Sequence, residues 1–309
     1  MRQWQNKEPR DNFRGSYIRK KNRRYVDRTR RGTWKYLAAT AALLGVFVYA
    51  AVSLVGYVRS SAAVQKTNEE VRQVYAATTE IPVTATPKAA AVTPPPAATQ
   101  IPVQTGAPEL LRAYQQTSGE MLSQMQRLRE QNRDTVAWVK IPGVVDLPVV
   151  YRDNAYYLDH DFYGAKSKAG TLFLDAAHPL KADTQYLVIH GHNMNDGSMF
   201  GTLSHYRSRG YMAQHGKVYL TTLYRQEEYE VVGVLQLPTD ARKTGYVAFA
   251  GTRKFDSVGH FEAFVKELQE HALYWKQGAA LAPHDALLAL STCYEDERVV
   301  VMCRRVKPQ

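Results

Sequence analysis

Between residues 134 and 309 the chain breaks into short β-branched and aromatic runs: VAWVKIP, LPVVY, GTLFLD, QYLVIHG, GKVYLTTLY, EYEVVGVLQL, ALLALSTC and RVVVMCRRV. Each is about one strand long, and turn-forming residues separate them. Eight such runs within roughly 175 residues predict a mainly β fold, a closed or nearly closed eight-stranded β-barrel. One element interrupts them. Over 257–275, Phe261, Phe264, Val265, Leu268 and Ala272 recur at the spacing of one helical face. This predicts an amphipathic helix just before the strand that carries Cys293. A second helical pattern precedes the strands over 109–132, with Leu110, Leu111, Tyr114, Met121, Leu122, Met125 and Leu128 on its stripe. Gly119 lies within it and is a point where the helix can divide.

Upstream the pattern changes twice. Residues 36–58 are 23 consecutive positions without a charge, bounded by Lys35 and Arg59, with Trp34, Tyr36 and Tyr57 at the ends. As a helix they reach roughly 35 Å, enough to cross the ~30 Å hydrocarbon core of a bilayer, and aromatic rings at both ends suit its interfaces. The small residues Ser61, Ala62 and Ala63 are compatible with signal cleavage, but the apolar run exceeds the ~7–15 residues of a signal core. The expectation is therefore a single uncleaved transmembrane helix. Residues 59–108 follow as a linker. A short polar stretch with helical character at 67–75 gives way to a Pro/Ala/Thr-rich segment holding seven of the chain's 14 prolines. Such a composition cannot build a core and reads as an extended stalk.

Charge fixes the expected orientation. The formal net charge is +11, but residues 1–35 contain 13 Lys+Arg against 3 Asp+Glu, leaving a net of only +1 for the rest. A basic cytoplasmic tail, including Arg19, Lys20, Lys21, Arg23 and Arg24, then faces anionic lipid, and everything after Arg59 lies outside the cell. A near-neutral folded part excludes a basic nucleic-acid-binding domain, so no nucleic-acid partner is expected.

With two cysteines, Cys293 and Cys303, neither a disulfide framework nor a Cys-rich zinc site can form. A single disulfide between them is the first reading to weigh. If the last run is a strand, Cys303 points to the face opposite Arg298 and lies roughly 17 Å along it, beyond the ~7 Å Cα reach of a disulfide. Cys293 is thus expected to be a free thiol and Cys303 a barrel-wall residue. Cys293 closes a strand, precedes the polar turn Tyr294-Glu295-Asp296-Glu297, and meets Arg298 where the chain returns. A cation beside a thiol favours the thiolate, and a nucleophile of this kind needs an acid–base partner. His190 and His192 end a strong strand. A two-histidine metal site is the competing use of the pair, but no third or fourth ligand stands at a suitable spacing, so no metal or other cofactor is expected.

These residues carry a resemblance. Leu290-Ser291-Thr292-Cys293 followed by Arg298-Val299-Val300-Val301 resembles the TLxTC…R signature of sortases. The segment His190-Gly191-His192-Asn193-Met194-Asn195-Asp196-Gly197-Ser198-Met199-Phe200 is similar to the YGHNMxxGxMF segment of class B. TVAWVKIPGVVDLPVV over 135–150 and Asp153-Asn154-Ala155-Tyr156-Tyr157-Leu158 resemble that class's opening strands and following turn, and the extra helix before the Cys strand also fits. The resemblance covers roughly 109–309. It departs from the pattern in three places: His190 stands where Tyr is usual, Cys303 where Gly is usual, and only four residues separate Cys293 from Arg298.

The resemblance implies a closed sortase-type barrel over 134–309 and a cysteine transpeptidase of a Gram-positive cell surface. Cys293 matches the nucleophile that forms an acyl-thioester, His192 the general acid/base, Arg298 the arginine that binds the substrate backbone or oxyanion, and Ser291 a serine near the substrate. Implied partners are surface proteins or pilins bearing a C-terminal sorting signal of the NPxT-G/N kind, cleaved after Thr. An amine of peptidoglycan precursor or a pilin lysine would accept the acyl group. Neither Glu295 nor Asp296 is assigned an accessory role. Loops around 195–210 and 239–285 are expected to shape the pocket. Two alternatives remain at this stage: a membrane-anchored extracellular cysteine peptidase using the same pair, and a non-enzymatic stalked surface-binding domain. A peptidoglycan L,D-transpeptidase is disfavoured, because Cys293 is followed by Tyr294-Glu295 rather than by that family's Ile/Val-Arg.

Overall fold

The computed structural model describes residues 14–77, 120–178, 184–251 and 255–306. The chain divides after Ser60 into two compact units. The prolines of the predicted stalk and residues 109–119 of the predicted helix lie outside the described residues.

In the first unit the described residues form one helix, α1 (Arg14–Ala76), which continues into the second unit. Its stretch from Trp34 is long and apolar enough to cross a membrane, with a mean hydropathy of 2.1 over its most apolar window. Leu43, Leu44, Phe47, Val52 and Leu54 stand exposed on it. A continuous exposed apolar surface of this kind is what a lipid-facing helix presents.

The second unit is built on strands β1 (Thr135–Ile141), β2 (Val145–Val150), β3 (Leu172–Leu174), β4 (Tyr186–His190), β5 (Lys217–Thr222), β6 (Gln226–Pro238), β7 (Ala272–Trp275), β8 (Leu287–Tyr294) and β9 (Glu297–Arg305). They form one sheet in the order β5-β1-β2-β3-β4-β8-β9-β6-β7, and β5 also pairs with β6. That extra pairing closes a ring of eight strands, leaving β7 as a ninth strand on the outer edge of β6. The eight predicted runs are the eight strands of the ring. Side-chain alternation divides its apolar residues between two faces. Val139, Leu147, Leu172, Ile189, Leu220, Val231, Leu290 and Val301 belong to one buried cluster, the barrel interior. Tyr186, Val188, Leu235, Leu287, Ala289, Val300 and Met302 belong to another on the outer face.

That outer cluster is covered by a helix. Beyond α2 (Ser123–Gln131) and the short α3 (Arg209–Gln214) comes α4 (Val258–Glu270), which buries Phe261, Phe264, Val265 and Leu268 against the outer face. The Ser257 side chain caps its start by accepting from the His260 N–H, satisfying one of the helix's unpaired donors. The predicted helix over 257–275 is thus corrected at its end. Ala272 extends the apolar stripe, but 272–275 pairs with β6 as β7.

The predicted linker over 59–108 is also narrower at its start. Residues 61–76 belong to α1, and Val71 is completely buried with Trp138, Met125 and Leu128. Tyr75 stacks on Trp138 with ring centroids 4.1 Å apart and donates from its hydroxyl to Thr221 Oγ1 at 3.0 Å. Arg72 Nε donates to the Asp146 carbonyl at 2.9 Å. The end of α1 is therefore part of the barrel domain. Tyr75→Ala is expected to destabilise that domain by about 2 kcal/mol, since a half-buried ring and its hydrogen bond are lost together. Thermal melting of the full chain in detergent should show a midpoint about 4–8 °C lower. An unchanged midpoint would mean that the stack contributes nothing.

Candidate active site

The hairpin of β8 and β9 sets the site. The two strands pair from Leu287↔Arg304 to Tyr294↔Glu297, which makes Cys293 and Arg298 direct cross-strand partners. Partners in register project to the same face. Only Glu295 and Asp296 remain to make the turn, and Glu295 takes a left-handed backbone with φ of 53°, a conformation side chains other than Gly and Asn adopt reluctantly. Neighbours hold the turn in place. Thr239 Oγ1 donates to the Asp296 carbonyl at 2.8 Å, and the Gln236 amide donates to the Glu297 carboxylate. The Arg207 guanidinium lies 4.1 Å over the Tyr294 ring while its Nε donates to Gln236 Oε1. No ion pair joins Arg298 to a carboxylate among the described residues, so its charge is left to the space beside Cys293. Cys293 itself is exposed.

Strand β4 runs parallel to β8, with His190 in register with Ser291. On its other side His190 pairs with Phe173 of β3, the rings 5.3 Å apart. Phe173, His190, Ser291, Cys293 and Arg298 therefore all point to the outer face of neighbouring strands. Beyond the strand end, Gly191 is locked to β8. Its N–H donates to the Ser291 carbonyl at 3.1 Å, and its carbonyl accepts from Thr292 Oγ1 at 3.0 Å. A Cβ here would lie 2.3 Å from Leu172 Cδ2 and 2.7 Å from Phe200 Cδ2, so only glycine allows this approach. The next residue, His192, is carried into the cleft, where its Nε2 lies 2.7 Å from the Leu158 carbonyl. Because a carbonyl can only accept, Nε2 bears the proton and Nδ1 is left for chemistry.

One cleft of about 290 Å³ gathers these parts. Cys293, His192, Arg298, His190 and Asp175 line it, with Pro238, Thr239, Tyr246, Val247 and Phe249 forming another side. The structure thus brings together the three residues predicted to carry the chemistry. Of the two loops expected to shape the pocket, the first residues after β6 do so. Residues 195–210 do not line this cleft, and instead the Asp196 carboxylate there anchors to Ser61 and Ser198. Burial opposes ionisation of Asp196, but these hydrogen bonds outweigh it and hold the carboxyl below its ordinary range.

Ser291 is placed differently from a substrate-contacting serine. It is fully buried beneath the cleft, and its hydroxyl has no hydrogen-bond partner. Cys303 pairs with Leu288 and faces the barrel interior, and burial pushes its thiol well above the ordinary range. Both cysteines are free. Among the described residues no group of three or more His, Cys, Asp and Glu is arranged to hold a metal ion; His190 and His192 commit their Nε2 atoms elsewhere.

Asp175 was not anticipated. It sits just after β3, nearly buried, with Oδ2 2.9 Å from His190 Nε2 and Oδ1 accepting the Ala177 N–H at 2.9 Å. Burial would raise its pKa, but the His190 hydrogen bond, the Ala177 N–H and the fields of His190 and His178 hold it below the ordinary range. The neighbouring His178 imidazole is pushed down by burial.

The Sortase domain family matches residues 139–306, more than half of the chain. The chain belongs to the sortase family. Sortase B of Listeria monocytogenes is 28% identical over 196 residues, covering 61% of this chain and 76% of the relative. A sortase B structure from B. anthracis in complex with AAEK2 superposes with a TM-score of 0.56 at 29% identity, covering 65% of this chain and 94% of that one. Sortase B of Clostridium perfringens gives 0.53 at 28% identity, covering 59% and 99%. This sortase is of class B, with that class's barrel and helix before the Cys strand, and is a sortase-type cysteine transpeptidase.

Proposed function

We propose that this sortase cleaves a C-terminal sorting signal of the NPxT-G/N or a related kind after Thr and joins the freed acyl group to an amine, anchoring surface proteins. The observation that carries this reading is the cross-strand pair of Cys293 and Arg298 opening into the cleft that His192 also lines. The Cys293 thiolate attacks the Thr carbonyl. Arg298, with no carboxylate partner among the described residues, donates hydrogen bonds to the developing oxyanion or the peptide backbone, where such contacts are worth about 2.7–4 kcal/mol. His192 Nδ1, having taken the proton of the Cys293 thiol, gives it to the leaving amine as the C–N bond breaks. A thioester on Cys293 remains, and an amine of peptidoglycan precursor or a pilin lysine opens it. Anchoring is through the apolar helix from Trp34, with the basic N-terminus cytoplasmic and the barrel outside the cell by the positive-inside rule.

The test is mass spectrometry of the full chain in detergent after mixing with a panel of sorting peptides. Expected is an added mass on Cys293 equal to the acyl fragment, absent from Cys293→Ala and converted to ligated product by an added amine. Hydrolysis unaffected by the amine would make the protein a peptidase, and no adduct on Cys293 with any peptide would remove the reading.

A further inference from the structure

We infer that His190, backed by Asp175, is a second acid–base group of this site, the base that takes the proton of the incoming amine. The inference rests on the transpeptidase reading above and divides its two half-reactions between two imidazoles. His190 and His192 both line the cleft with Cys293. His190 is in register with Ser291, two residues from Cys293 on the same face of the parallel neighbour, which sets the two Cα atoms about 8 Å apart by strand geometry.

The two rings differ in what stands behind them. His192 Nε2 donates to a peptide carbonyl, a dipole. His190 Nε2 meets the Asp175 carboxylate at 2.9 Å, and because that carboxylate only accepts, His190 presents Nδ1 as a proton acceptor. An anion fixed behind an imidazole orients the ring and stabilises the charge it gains on taking a proton. Asp175 is itself held: the Ala177 N–H binds Oδ1, and Asn154, which accepts the Ala176 N–H at 2.8 Å, reaches Oδ2 at 3.4 Å. Among the described residues, the other titratable groups that line the cleft or act on Asp175 are His178, Tyr151, His192, Tyr246, Cys293 and Arg298.

In the step assigned to His190, the amine nitrogen's lone pair forms a bond to the thioester carbon. The tetrahedral adduct then collapses with cleavage of C–S, and sulfur departs with the bonding pair as thiolate. The proton the nitrogen loses on collapse passes to solvent, whereas the one shed earlier by the ammonium form, which frees that lone pair for attack, is taken by His190 Nδ1. The resulting imidazolium, held by Asp175, releases it to solvent before the next turnover.

The experiment separates acylation from aminolysis in full-length protein in detergent. Acylation is read as leaving-peptide release in a single turnover, and aminolysis as decay of the Cys293 thioester. His190→Gln is expected to slow thioester opening by triglycine at pH 7 by about 10²-fold, within the usual range for a positioned base, and at least tenfold more than it slows acylation. Asp175→Asn should act in the same direction and less strongly. Hydroxylamine, an amine already unprotonated at neutral pH, should open the variant's thioester at close to the wild-type rate, and the triglycine defect should shrink as pH rises. Equal losses in both steps, no loss in aminolysis, or a defect that hydroxylamine does not relieve would each overturn the inference. Wild-type protein that forms no thioester would instead count against the transpeptidase reading itself.

Discussion

Replacing Arg298 by Ala is expected to lower kcat/KM for a sorting peptide by about 10²–10³-fold, the effect of removing a main oxyanion donor. The geometry explains why one residue can matter so much. Arg298 is fixed by register, opposite Cys293 on the adjacent strand, and its position is enforced by a two-residue turn that has no slack. No carboxylate among the described residues pairs with Arg298, so the guanidinium is available to charge that develops beside the sulfur. Arg298→Lys should recover only part of the loss, because an ammonium restores the charge but not the planar two-donor fork. A second measurement separates the electrostatic role from substrate binding. Alkylation of Cys293 by iodoacetamide at neutral pH needs thiolate but no peptide, and it should be slower in Arg298→Ala. If kcat/KM stayed within threefold of wild type, Arg298 would be an ordinary strand residue, and the reading of the site would lose its cation.

Much of this arrangement is legible in the sequence because a barrel strand carries its burial pattern in its own residues. VVVMC within β9 is apolar at every position, since both of its faces are covered, one by the interior and one by α4. The Cys293–Arg298 pairing is legible for a related reason: a short hairpin leaves almost no freedom of register. What escaped was set by partners distant in sequence. Residues 272–275 carry on the helix's apolar stripe, and only the open edge of β6 makes them a strand. Asp175 reads as a turn residue until the antiparallel pairing of β3 with β4 brings its carboxylate to His190. Leu158 contributes a carbonyl, and a main-chain acceptor leaves no trace in side-chain pattern. The 67–75 stretch reads as a short polar helix at the head of the linker because its apolar anchors, Val71, Val74 and Tyr75, are too few to stand out as a core face.

Gly191→Ala is expected to cost about 10²-fold in kcat/KM while lowering stability by only about 1–3 kcal/mol. The new methyl group would overlap Leu172 and Phe200, and both side chains are fully buried, so neither can swing clear into solvent. The backbone must yield, and this backbone links β8 to His192 through the Ser291 carbonyl and the Thr292 hydroxyl. Lifting residue 191 away from β8 loosens those hydrogen bonds and carries the His192 ring off its Leu158 carbonyl and away from Cys293. A displacement of about 1 Å suffices for a loss of that size in a positioned acid–base pair. Activity and melting temperature should be measured on the same protein under conditions where the variant is still folded. A fall in activity well beyond the fall in folded fraction would show that Gly191 positions His192. Activity falling only in step with folded protein, or not at all, would show that the imidazole is positioned by the rest of its loop.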